Sequence, residues 1–415
     1  MRALRFVLFA CAALTLAGAA SAAPRHRAAN IWVGSWATSQ QIPEPENALA
    51  PEDLQDATLR QIVHLSIGGR RLRVRLSNAF GTAPLHISAA HIARAAALGT
   101  AAIAPGSDRA LLFSGAPDVT IPAGAEYISD PIDFDAPALS DIALTLRFDA
   151  TPPQQTSHPG SRTTSFYVHG DHVADTDLAN AKTATHWYQI AGIDVLAPAG
   201  ASAVVTLGDS ITDGRGSTTD HNDRWPDAFA RRLQAFPPTR HIGVLNAGIG
   251  GGRVLADGKG QSALARFDRD VLAPAGVRYL IVFEGINDIG TLTVDHEASP
   301  EAHAALVARL IAAYEQIIAR AHARGVRVYG ATITPFTGSG YYHPGPASEA
   351  DRQAVNAWIR TPGHFDAVID FDAATRDPAS PARLASRYDS GDQLHLSPAG
   401  YRAMAAAIPL RLFRR

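Results

Sequence analysis

Residues 203–214 read AVVTLGDSITDG, a short apolar run that passes directly into a glycine and a polar segment. The apolar part is typical of a buried strand, and Gly208 permits a sharp exit from that strand. Ser210 then lies at a predicted helix start, where its hydroxyl faces a crevice and suits a nucleophile. An alternative interpretation is that Asp209 or Ser210 only caps the helix, which is the commonest use of such residues.

The rest of the sequence after residue 203 alternates between short apolar strands and stretches of helical spacing. Such alternation requires right-handed crossovers and gives a parallel sheet that helices cover on both faces. Residues 203–415 are therefore predicted to form a three-layer α/β domain. The predicted strands are 203–207, 242–245, 279–283, 326–333 and 367–371, and the predicted helices are 226–235, 300–324, 348–359 and 401–413.

The preceding region, residues 30–196, has a different periodicity. Apolar residues tend to alternate with polar ones in runs such as 72–76 and 142–146, and turn residues separate the runs. A period of two with frequent turns predicts an all-β, sandwich-like domain. Residues 197–202 are small, uncharged and interrupted by proline and glycine, so we place the domain boundary there.

The composition is that of a folded protein with no general affinity for polyanions. The chain has 415 residues, of which 46% are apolar and 18% charged, and this excludes a mostly disordered or coiled-coil chain. The length favours two domains. Lys+Arg 37 against Asp+Glu 39 gives a net charge of -2, so nothing in the charge suggests nucleic acid as a partner.

The first 22 residues have the three-part pattern of a secretory signal: arginines, then an uncharged apolar run, then small residues near Ala22. The predicted division is thus signal peptide 1–22, β-rich domain 30–196 and α/β domain 203–415, in a secreted or periplasmic protein. Cys11 is the only cysteine, so the processed chain is expected to lack disulfides, a Cys nucleophile and thiolate metal sites. No later apolar segment is long enough without charge to predict stable membrane insertion.

Polar residues follow the predicted strands, at the edge where ligands of open parallel sheets collect. The glycine-rich segment 246–252 follows the second strand and lets backbone N–H groups approach an anion. Asn287 follows the third strand and places a carboxamide donor at the same edge. Asp392 and His395 are spaced so that the carboxylate reaches imidazole Nδ1 while Nε2 points outward, which supports a general base. Taken singly, these features are also typical of a flexible turn, a turn pair and a surface ion pair.

Taken together, the hydroxyl, the glycine-rich N–H source, the carboxamide and the Asp-His pair meet the requirements for acyl transfer. They supply a nucleophile, a base, a group that orients the base, and donors for a developing oxyanion. We therefore predict neither a cofactor nor a metal ion. The sequence has no H-E-x-x-H, and His296-Glu297 followed by His303 indicates the exposed start of a helix.

The segments that carry Ser210, Asn287 and the Asp392–His395 pair resemble the sequence blocks of the SGNH (GDSL) hydrolase superfamily. The resemblance spans roughly residues 203–410 and implies a flavodoxin-like three-layer sheet. It also implies that Ser210 is the nucleophile, His395 the general base and Asp392 the residue that orients the base.

The same resemblance implies an oxyanion hole formed by the N–H of Ser210, a glycine of the second block and the side chain of Asn287. Gly251 is our choice of glycine, because its loop resembles the family's Asn-x-x-x-x-Gly spacing. The loop holds several glycines, so Gly250 and Gly248 are alternatives.

The whole chain, including residues 34–39 and 75–81, is similar to a branch of secreted arylesterases or acylhydrolases, some of them linked to plant polysaccharide breakdown. This similarity implies a serine ester hydrolase that removes small acyl groups, with acetyl on carbohydrate as the expected target. The expected partner is a small ester or an acylated carbohydrate, and the sequence does not determine the oligomeric state.

Two other functions stay open. A lipase or lysophospholipase needs an apolar channel, and Phe336, Tyr341 and Tyr342 could line one or could stack on a sugar. A non-catalytic carbohydrate-binding protein would bind through tryptophans of the β-rich domain. Those tryptophans are Trp32, Trp36 and Trp187. The β-rich domain could instead shape the crevice of an enzyme, and Arg75 and Asn78 are weak candidates for residues that line it. The simpler interpretation is that these two residues belong to an exposed strand face and its turn.

Overall fold

The computed structural model describes residues 29–414, so the predicted signal peptide and Cys11 lie outside the described residues. The first part of the described chain is rich in strands and contains one short helix, α1 (Pro51–Leu54). The strands are β1 (Ile31–Ala37), β2 (Ala57–His64), β3 (Gly69–Ser77), β4 (Leu85–Ile87), β5 (Ala89–Arg94), β6 (Arg109–Ala110), β7 (Val119–Ile121), β8 (Glu126–Ile128), β9 (Ile132–Ala136), β10 (Asp141–Phe148), β11 (Ser157–His158), β12 (Ser165–His169), β13 (Lys182–Ala184), β14 (Trp187–Tyr188) and β15 (Ile190–Ala197). We call this part the β-rich region.

The strands of the β-rich region form two main antiparallel sheets. One has the order β1-β15-β3-β8, with β9 also paired to β3, and the other has the order β13-β12-β2-β10-β5-β6. In the second sheet Leu144 and Leu146 of β10 belong to the main core, while Ala143 packs with Ile62 in a smaller cluster on the opposite face. The predicted all-β architecture is therefore confirmed.

The second part of the chain, which we call the α/β region, is a five-stranded parallel sheet with the order β17-β16-β18-β19-β20. Its elements in chain order are β16 (Ser202–Gly208), α2 (Ser210–Asp213), α3 (Trp225–Ala235), β17 (Ile242–Gly248), α4 (Ala263–Phe267), β18 (Val277–Phe283), α5 (Ile286–Leu292), α6 (Pro300–His322), β19 (Arg327–Ala331), α7 (Pro346–Arg360), β20 (Ala367–Ile369), α8 (Phe371–Thr375) and α9 (Pro398–Ala407). The five predicted strands correspond to β16 to β20, which confirms the predicted three-layer fold. Parallel pairing brings the carboxyl ends of these strands to one edge.

Several predicted elements of the α/β region are wrong at their ends, and two of them show the physical reason. The strand predicted at 367–371 is only β20, because Asp370 caps α8 by accepting the backbone N–H of Ala373 at 3.0 Å. The helix predicted at 401–413 corresponds to α9, which begins and ends earlier than expected. Pro409 follows it and has no N–H with which to continue the helix.

The two regions pack closely against each other, with β1 running along β17 at the edge of the parallel sheet. A Cβ atom on Gly243 would lie 2.1 Å from the carbonyl oxygen of Gly34, so this approach requires glycine. The N–H of Val244 donates to Ser66 Oγ of the β-rich region at 2.8 Å. Because the apolar cores of the two regions are continuous, the domain boundary at 197–202 stays a prediction.

Among the described residues, one helix passes a test of length and apolar composition for crossing a membrane. This helix is α6, with a mean hydropathy of 1.2. Charged residues interrupt it, and its Leu306, Leu310 and Ile317 are buried in the core. These features are typical of a helix that covers one face of a sheet.

Candidate active site

Ser210, His395 and Asp392 lie together and are joined by hydrogen bonds. Oγ of Ser210 is 2.8 Å from Nε2 of His395, and Nδ1 of His395 is 2.6 Å from Oδ2 of Asp392. Because Nδ1 faces a carboxylate it carries the ring proton, so Nε2 is left to accept the proton of the hydroxyl. This arrangement can activate a serine hydroxyl for attack on an ester carbonyl.

The loop before α9 fixes the carboxylate of Asp392. Its Oδ1 accepts the backbone N–H groups of Leu394 and His395 at 3.0 and 2.8 Å, which leaves Oδ2 for the imidazole. Gln393 has a φ of 57°, so the loop turns tightly between the two members of the pair. Partial burial alone raises the pKa of Asp392, but the hydrogen bonds from His395 and the backbone bring this pKa down to about 2. Asp392 is therefore ionised at any pH at which the protein is expected to work.

The turn from β16 into α2 presents Ser210. Asp209 caps α2, since its Oδ1 accepts the N–H of Ile211 at 2.8 Å, while Ser210 faces the crevice. The capping interpretation therefore holds for Asp209, and the role of Ser210 as a nucleophile stays a prediction. Gly208 is needed here, because a Cβ at this position would lie 2.6 Å from the carbonyl oxygen of Phe283.

Ser210 and His395 open onto a crevice of about 370 Å³, which Gly250, Gly251 and Asn287 also line. Among the described residues, the backbone N–H groups of Ser210, Gly250 and Gly251 have no protein acceptor, so all three can donate to an oxyanion. Gly251 has a φ of 68°, which favours glycine. Gly248 differs, because its N–H already donates to Asn246 Oδ1 at 2.9 Å.

Tyr342 holds the carboxamide of Asn287 in one orientation. The Tyr342 hydroxyl donates to Oδ1 of Asn287 at 2.6 Å, and Nδ2 of Asn287 donates one proton to the carbonyl of Gly252 at 2.7 Å. Burial raises the pKa of Tyr342 to about 12, so its hydroxyl stays a donor. Gly290 makes room for the tyrosine ring, since a Cβ there would lie 2.4 Å from that ring. The sequence did not reveal this contact, because Tyr342 comes from a loop without a recognisable motif.

Arg266 forms hydrogen bonds with two of the strand ends that carry the site. Its fully buried guanidinium donates to the carbonyl oxygens of Ala247 and Gly208 at 2.6 and 3.1 Å. It also donates to Ser39 Oγ of the β-rich region at 3.0 Å and lies 3.3 Å from Glu284 Oε2. One side chain thereby joins the nucleophile turn, the glycine-rich loop and the β-rich region.

A group of buried carboxyl groups lies behind Ser210. Burial raises the pKa of Asp209, Glu284 and Asp288, and the nearby charge of Arg266 opposes the shift at the first two. Asp288 accepts the backbone N–H groups of Val254 and Leu255, which directly follow the glycine-rich segment, at 2.8 and 2.9 Å. Asp288 thus anchors the loop that carries the candidate oxyanion donors.

The β-rich region reaches the site through His158. Nε2 of His158 is 2.8 Å from Oδ1 of Asp213, the last residue of α2, and its Nδ1 donates to the carbonyl of Ser39 at 2.7 Å. Both side chains of the pair are buried, and the imidazole stacks on Trp187 at a centroid distance of 5.7 Å. The short helix that begins with Ser210 is therefore held at its far end by the other region.

Arg162 is the residue of the β-rich region that lines the crevice. Arg75 and Asn78, the weak candidates from the sequence, do not line it. Arg75 lies 3.8 Å from Glu126, and Asn78 donates to the carbonyl of Ile121 at 3.0 Å, so both stabilise the β-rich region itself.

The aromatic candidates separate into two groups. Tyr341 and Tyr342 line the crevice, and the ring of Tyr341 meets that of His395 edge-on at 5.7 Å. Phe336 is fully buried and cannot line a channel, and Trp36 and Trp187 are 7% and 2% exposed. Trp32 is partly buried, beneath the guanidinium of Arg73. Within the described part of the chain, no group of three or more His, Cys, Asp and Glu side chains is arranged to hold a metal ion.

Comparison with known proteins gives a match for part of the chain. Residues 206–403 match the GDSL-like Lipase/Acylhydrolase family. The similarity to this family covers most of the α/β region, which is just under half of the whole chain. No curated protein matches the sequence.

Several solved structures are similar over about half of the chain. A GDSL-like lipase from Bacteroides thetaiotaomicron is 18% identical, with 51% of this chain and 87% of that chain covered and a TM-score of 0.36. A catalytic mutant of an acetylxylan esterase from Geobacillus stearothermophilus is 22% identical, with 51% and 94% covered and a TM-score of 0.36. An alpha/beta hydrolase enzyme from the metagenome of Lake Arreo, Spain, is 21% identical, with 51% and 94% covered and a TM-score of 0.37. No conclusion about the substrate follows from these similarities.

Proposed function

We propose that this protein is a secreted serine ester hydrolase that removes small acyl groups, with acetyl groups on carbohydrate as its substrates. The observation that carries the proposal is the continuous path of hydrogen bonds from Ser210 through His395 to Asp392, at a crevice with unpaired N–H donors. The secreted location rests on the sequence of residues 1–22.

In the proposed mechanism, His395 Nε2 takes the Ser210 proton while Oγ attacks the ester carbonyl carbon. The resulting oxyanion accepts hydrogen bonds from the N–H of Ser210, from Gly251 or Gly250, and from Nδ2 of Asn287. His395 then gives the proton to the leaving alcohol, and the acyl group stays on Oγ. Water, deprotonated by the same imidazole, releases the acid and restores the serine.

The lining of the crevice supports small acyl groups. Leu394 is its one aliphatic side chain among the described residues, and the other side chains are polar, charged or tyrosine. A long acyl chain needs more apolar surface than this. The described chain has a more apolar groove, but α6 and α7 line it and no residue of that groove lines the crevice. These observations favour an acetylesterase over a lipase.

Tyrosine on the crevice supports a carbohydrate substrate. An exposed face of Tyr341 offers a stacking surface for a sugar ring beside His395. The tryptophan alternative loses support, because Trp36 and Trp187 are core residues. A carbohydrate would therefore bind at the crevice and not on a separate tryptophan surface of the β-rich region.

The test is acetate release from acetylated xylan, acetylated pectin and aryl acetates by the wild type and by Ser210→Ala. We expect hydrolysis by the wild type, a fall to background in the variant, and weaker activity on butyryl and octanoyl esters than on acetyl esters. Ser217→Ala is a matched control, because Ser217 lies in the loop that follows α2 but does not line the crevice.

Three outcomes would contradict the proposal. Activity retained by Ser210→Ala would exclude this nucleophile. Preference for octanoyl esters would indicate a lipase. Binding of polysaccharide without any turnover would indicate a non-catalytic binding protein.

A further inference from the structure

Three basic side chains line the crevice beside the proposed nucleophile: Arg162, Arg215 and Lys259. Nζ of Lys259 lies 3.1 Å from Oε1 of Glu44, so its charge is already balanced. Arg162 and Arg215 have no carboxylate partner among the described residues, and no Asp or Glu of that part of the chain lines the crevice. The crevice therefore carries excess positive charge, although the net charge of the whole chain is -2.

Arg162 is presented to the crevice by a tight turn. Its φ is 51°, a conformation that costs a bulky residue about 1 kcal/mol and that functional sites often retain. A hydrogen bond from Ser161 Oγ to the carbonyl of Thr163 closes the turn at 2.8 Å, and the carbonyl of Arg162 accepts the N–H of Asp220 at 3.0 Å. Nε of Arg162 is buried and has no acceptor among the described residues, so no protein oxygen holds this guanidinium there.

Arg215 lies on the side of the crevice that receives the alcohol part of an ester. His395 must give its proton to the leaving oxygen, so the alcohol part lies next to its imidazole. Tyr341 contacts that imidazole, and its hydroxyl is 3.5 Å from Nη2 of Arg215. Arg215 therefore lies on the His395 side, and Arg162 lines the same crevice.

We propose that the crevice selects esters whose alcohol part carries an anionic group, a carboxylate or a phosphate, which Arg162 and Arg215 bind. The proposal rests on the proposed ester hydrolase function and adds a substrate class to it. Guanidinium groups bind carboxylate and phosphate oxygens through paired hydrogen bonds, and an arginine without a protein partner is free to do so. Among carbohydrates, an acylated polymer with acidic sugar units has this chemistry.

The test compares kcat/KM for esters that differ only in charge. 4-Acetoxybenzoate and 4-acetoxybenzamide carry the same acetyl group, with an anionic or a neutral alcohol part, and 4-acetoxyphenyl phosphate supplies the second kind of anion. Monophenyl succinate places the carboxylate on the acyl part instead. The ratio of kcat/KM for the anionic ester to that for the neutral ester is measured in each variant, so differences in intrinsic reactivity between the esters cancel.

Arg162→Gln is expected to lower this ratio about 3- to 10-fold, because a partly buried charge-assisted hydrogen bond is lost. Arg215 is more exposed, so Arg215→Gln is expected to lower the ratio only about 2- to 3-fold. Sodium chloride should reduce the wild-type ratio through screening. Arg309→Gln is the matched control, because Arg309 is an exposed arginine of α6 outside the crevice, and its ratio should equal that of the wild type.

Either anionic alcohol part supports the proposal, and the larger of the two ratios identifies the anion. A ratio that the double variant Arg162→Gln/Arg215→Gln leaves unchanged would overturn it. The proposal would also be overturned if the arginine substitutions lowered kcat/KM for monophenyl succinate and left kcat/KM for the anionic acetates unchanged. If the wild type hydrolyses neither the neutral nor the anionic acetate, it is the proposed ester hydrolase function that fails. Circular dichroism and the Tm of each variant separate loss of recognition from loss of folding.

Discussion

The α/β region and the β-rich region contribute to the crevice in different ways. Ser210, Gly251 and Asn287 each follow the carboxyl end of a parallel strand, where the sheet brings successive loops to one edge. Arg162 and His158 come from the β-rich region. Arg162 lines the crevice, and His158 contacts Asp213 at the end of α2. In the proposed function, the first group supplies the nucleophile and the oxyanion donors, and the second supplies charge and support.

This difference teaches that the proposed reacting groups all lie on the α/β region, whereas the groups proposed for selection come from both regions, Arg162 from the β-rich region and Arg215 from the α/β region. A nucleophile needs a fixed position relative to its base within a few tenths of an ångström, and neighbouring loops of one rigid sheet provide it. A charged group on the alcohol part lies farther from the reacting carbon and tolerates a less rigid support. Substitutions of the proposed reacting groups should therefore lower kcat, while those in the β-rich region should change stability or substrate choice.

The strongest test of this division is Asp392→Asn, for which we expect a loss of about 10³- to 10⁴-fold in kcat. Two backbone N–H groups bind Oδ1 of Asp392, so the oxygen of an asparagine would occupy that place. Its amide would then face Nδ1 of His395, and the ring proton would move to Nε2, which could no longer accept a proton from Ser210. Steady-state kinetics on an aryl acetate measures the effect.

Asp389→Asn is the control for that substitution. Asp389 belongs to the same loop and accepts the N–H groups of Gly391 and Gln393, but it does not contact His395. It should retain most of the wild-type kcat. Equal losses in the two variants would show that the loop is merely sensitive to substitution.

Asn287→Ala is expected to lower kcat by about 10²- to 10³-fold with little change in KM. The second proton of its Nδ2 would bind the substrate oxygen in the transition state, when that oxygen becomes an oxyanion, and not in the bound ester. Burst and steady-state measurements on an aryl acetate separate the two parameters. Asn356→Ala is a matched control, since Asn356 is a buried amide that donates to the carbonyl of Ile333 and does not line the crevice. A rise in KM at unchanged kcat for Asn287→Ala would contradict the proposed oxyanion role.

The sequence was a good guide to the α/β fold because its signals are local. Strand length, the helical period and capping residues such as Ser397 are each set within a few positions of the chain. The ends at Asp370 and Pro409 were missed, because an apolar pattern continues past both, whereas a capping hydrogen bond and a missing N–H end the elements.

The candidate site could be predicted only where its residues follow recognisable motifs. Ser210 and His395 belong to such motifs, and the structure brings them together as expected. Arg162 and the contact between Tyr342 and Asn287 could not be found in this way, because both depend on packing between segments distant in sequence. One signal for Tyr342 was available, since Gly290 makes room for its ring, but a glycine within a helix does not identify the side chain that covers it.

His158→Ala tests the support from the β-rich region and should act mainly on stability. It leaves the Asp213 carboxylate buried without its partner, which we expect to lower the free energy of unfolding by about 3–5 kcal/mol. The loss in kcat should be smaller, because α2 keeps its bonds to the α/β region. Denaturant unfolding and kinetics on the same samples measure both quantities, and His158→Gln should restore part of each by donating to Asp213.

His303→Ala is the matched control for His158→Ala. His303 also pairs with a buried aspartate, Asp351, but it lies between α6 and α7 and does not line the crevice. It should lose stability without any loss of kcat. If His158→Ala behaves in the same way, His158 stabilises the fold without positioning Ser210.

The smallest expected effect concerns the pH dependence of stability at Asp392. Its folded pKa of about 2 lies below its ordinary value of 3.8, so ionised Asp392 stabilises the protein above about pH 4, and this contribution is lost as the pH falls toward 2. Since the side chain is 27% exposed, the difference in unfolding free energy between wild type and Asp392→Asn should narrow by only about 1 kcal/mol between pH 6 and pH 2. Asp133→Asn is the control from the β-rich region, because Asp133 is 89% exposed in a 3.5 Å pair with Arg71 and should contribute little at either pH. A difference that stayed constant for Asp392→Asn, or widened toward pH 2, would contradict the assigned stabilisation of the ionised carboxylate.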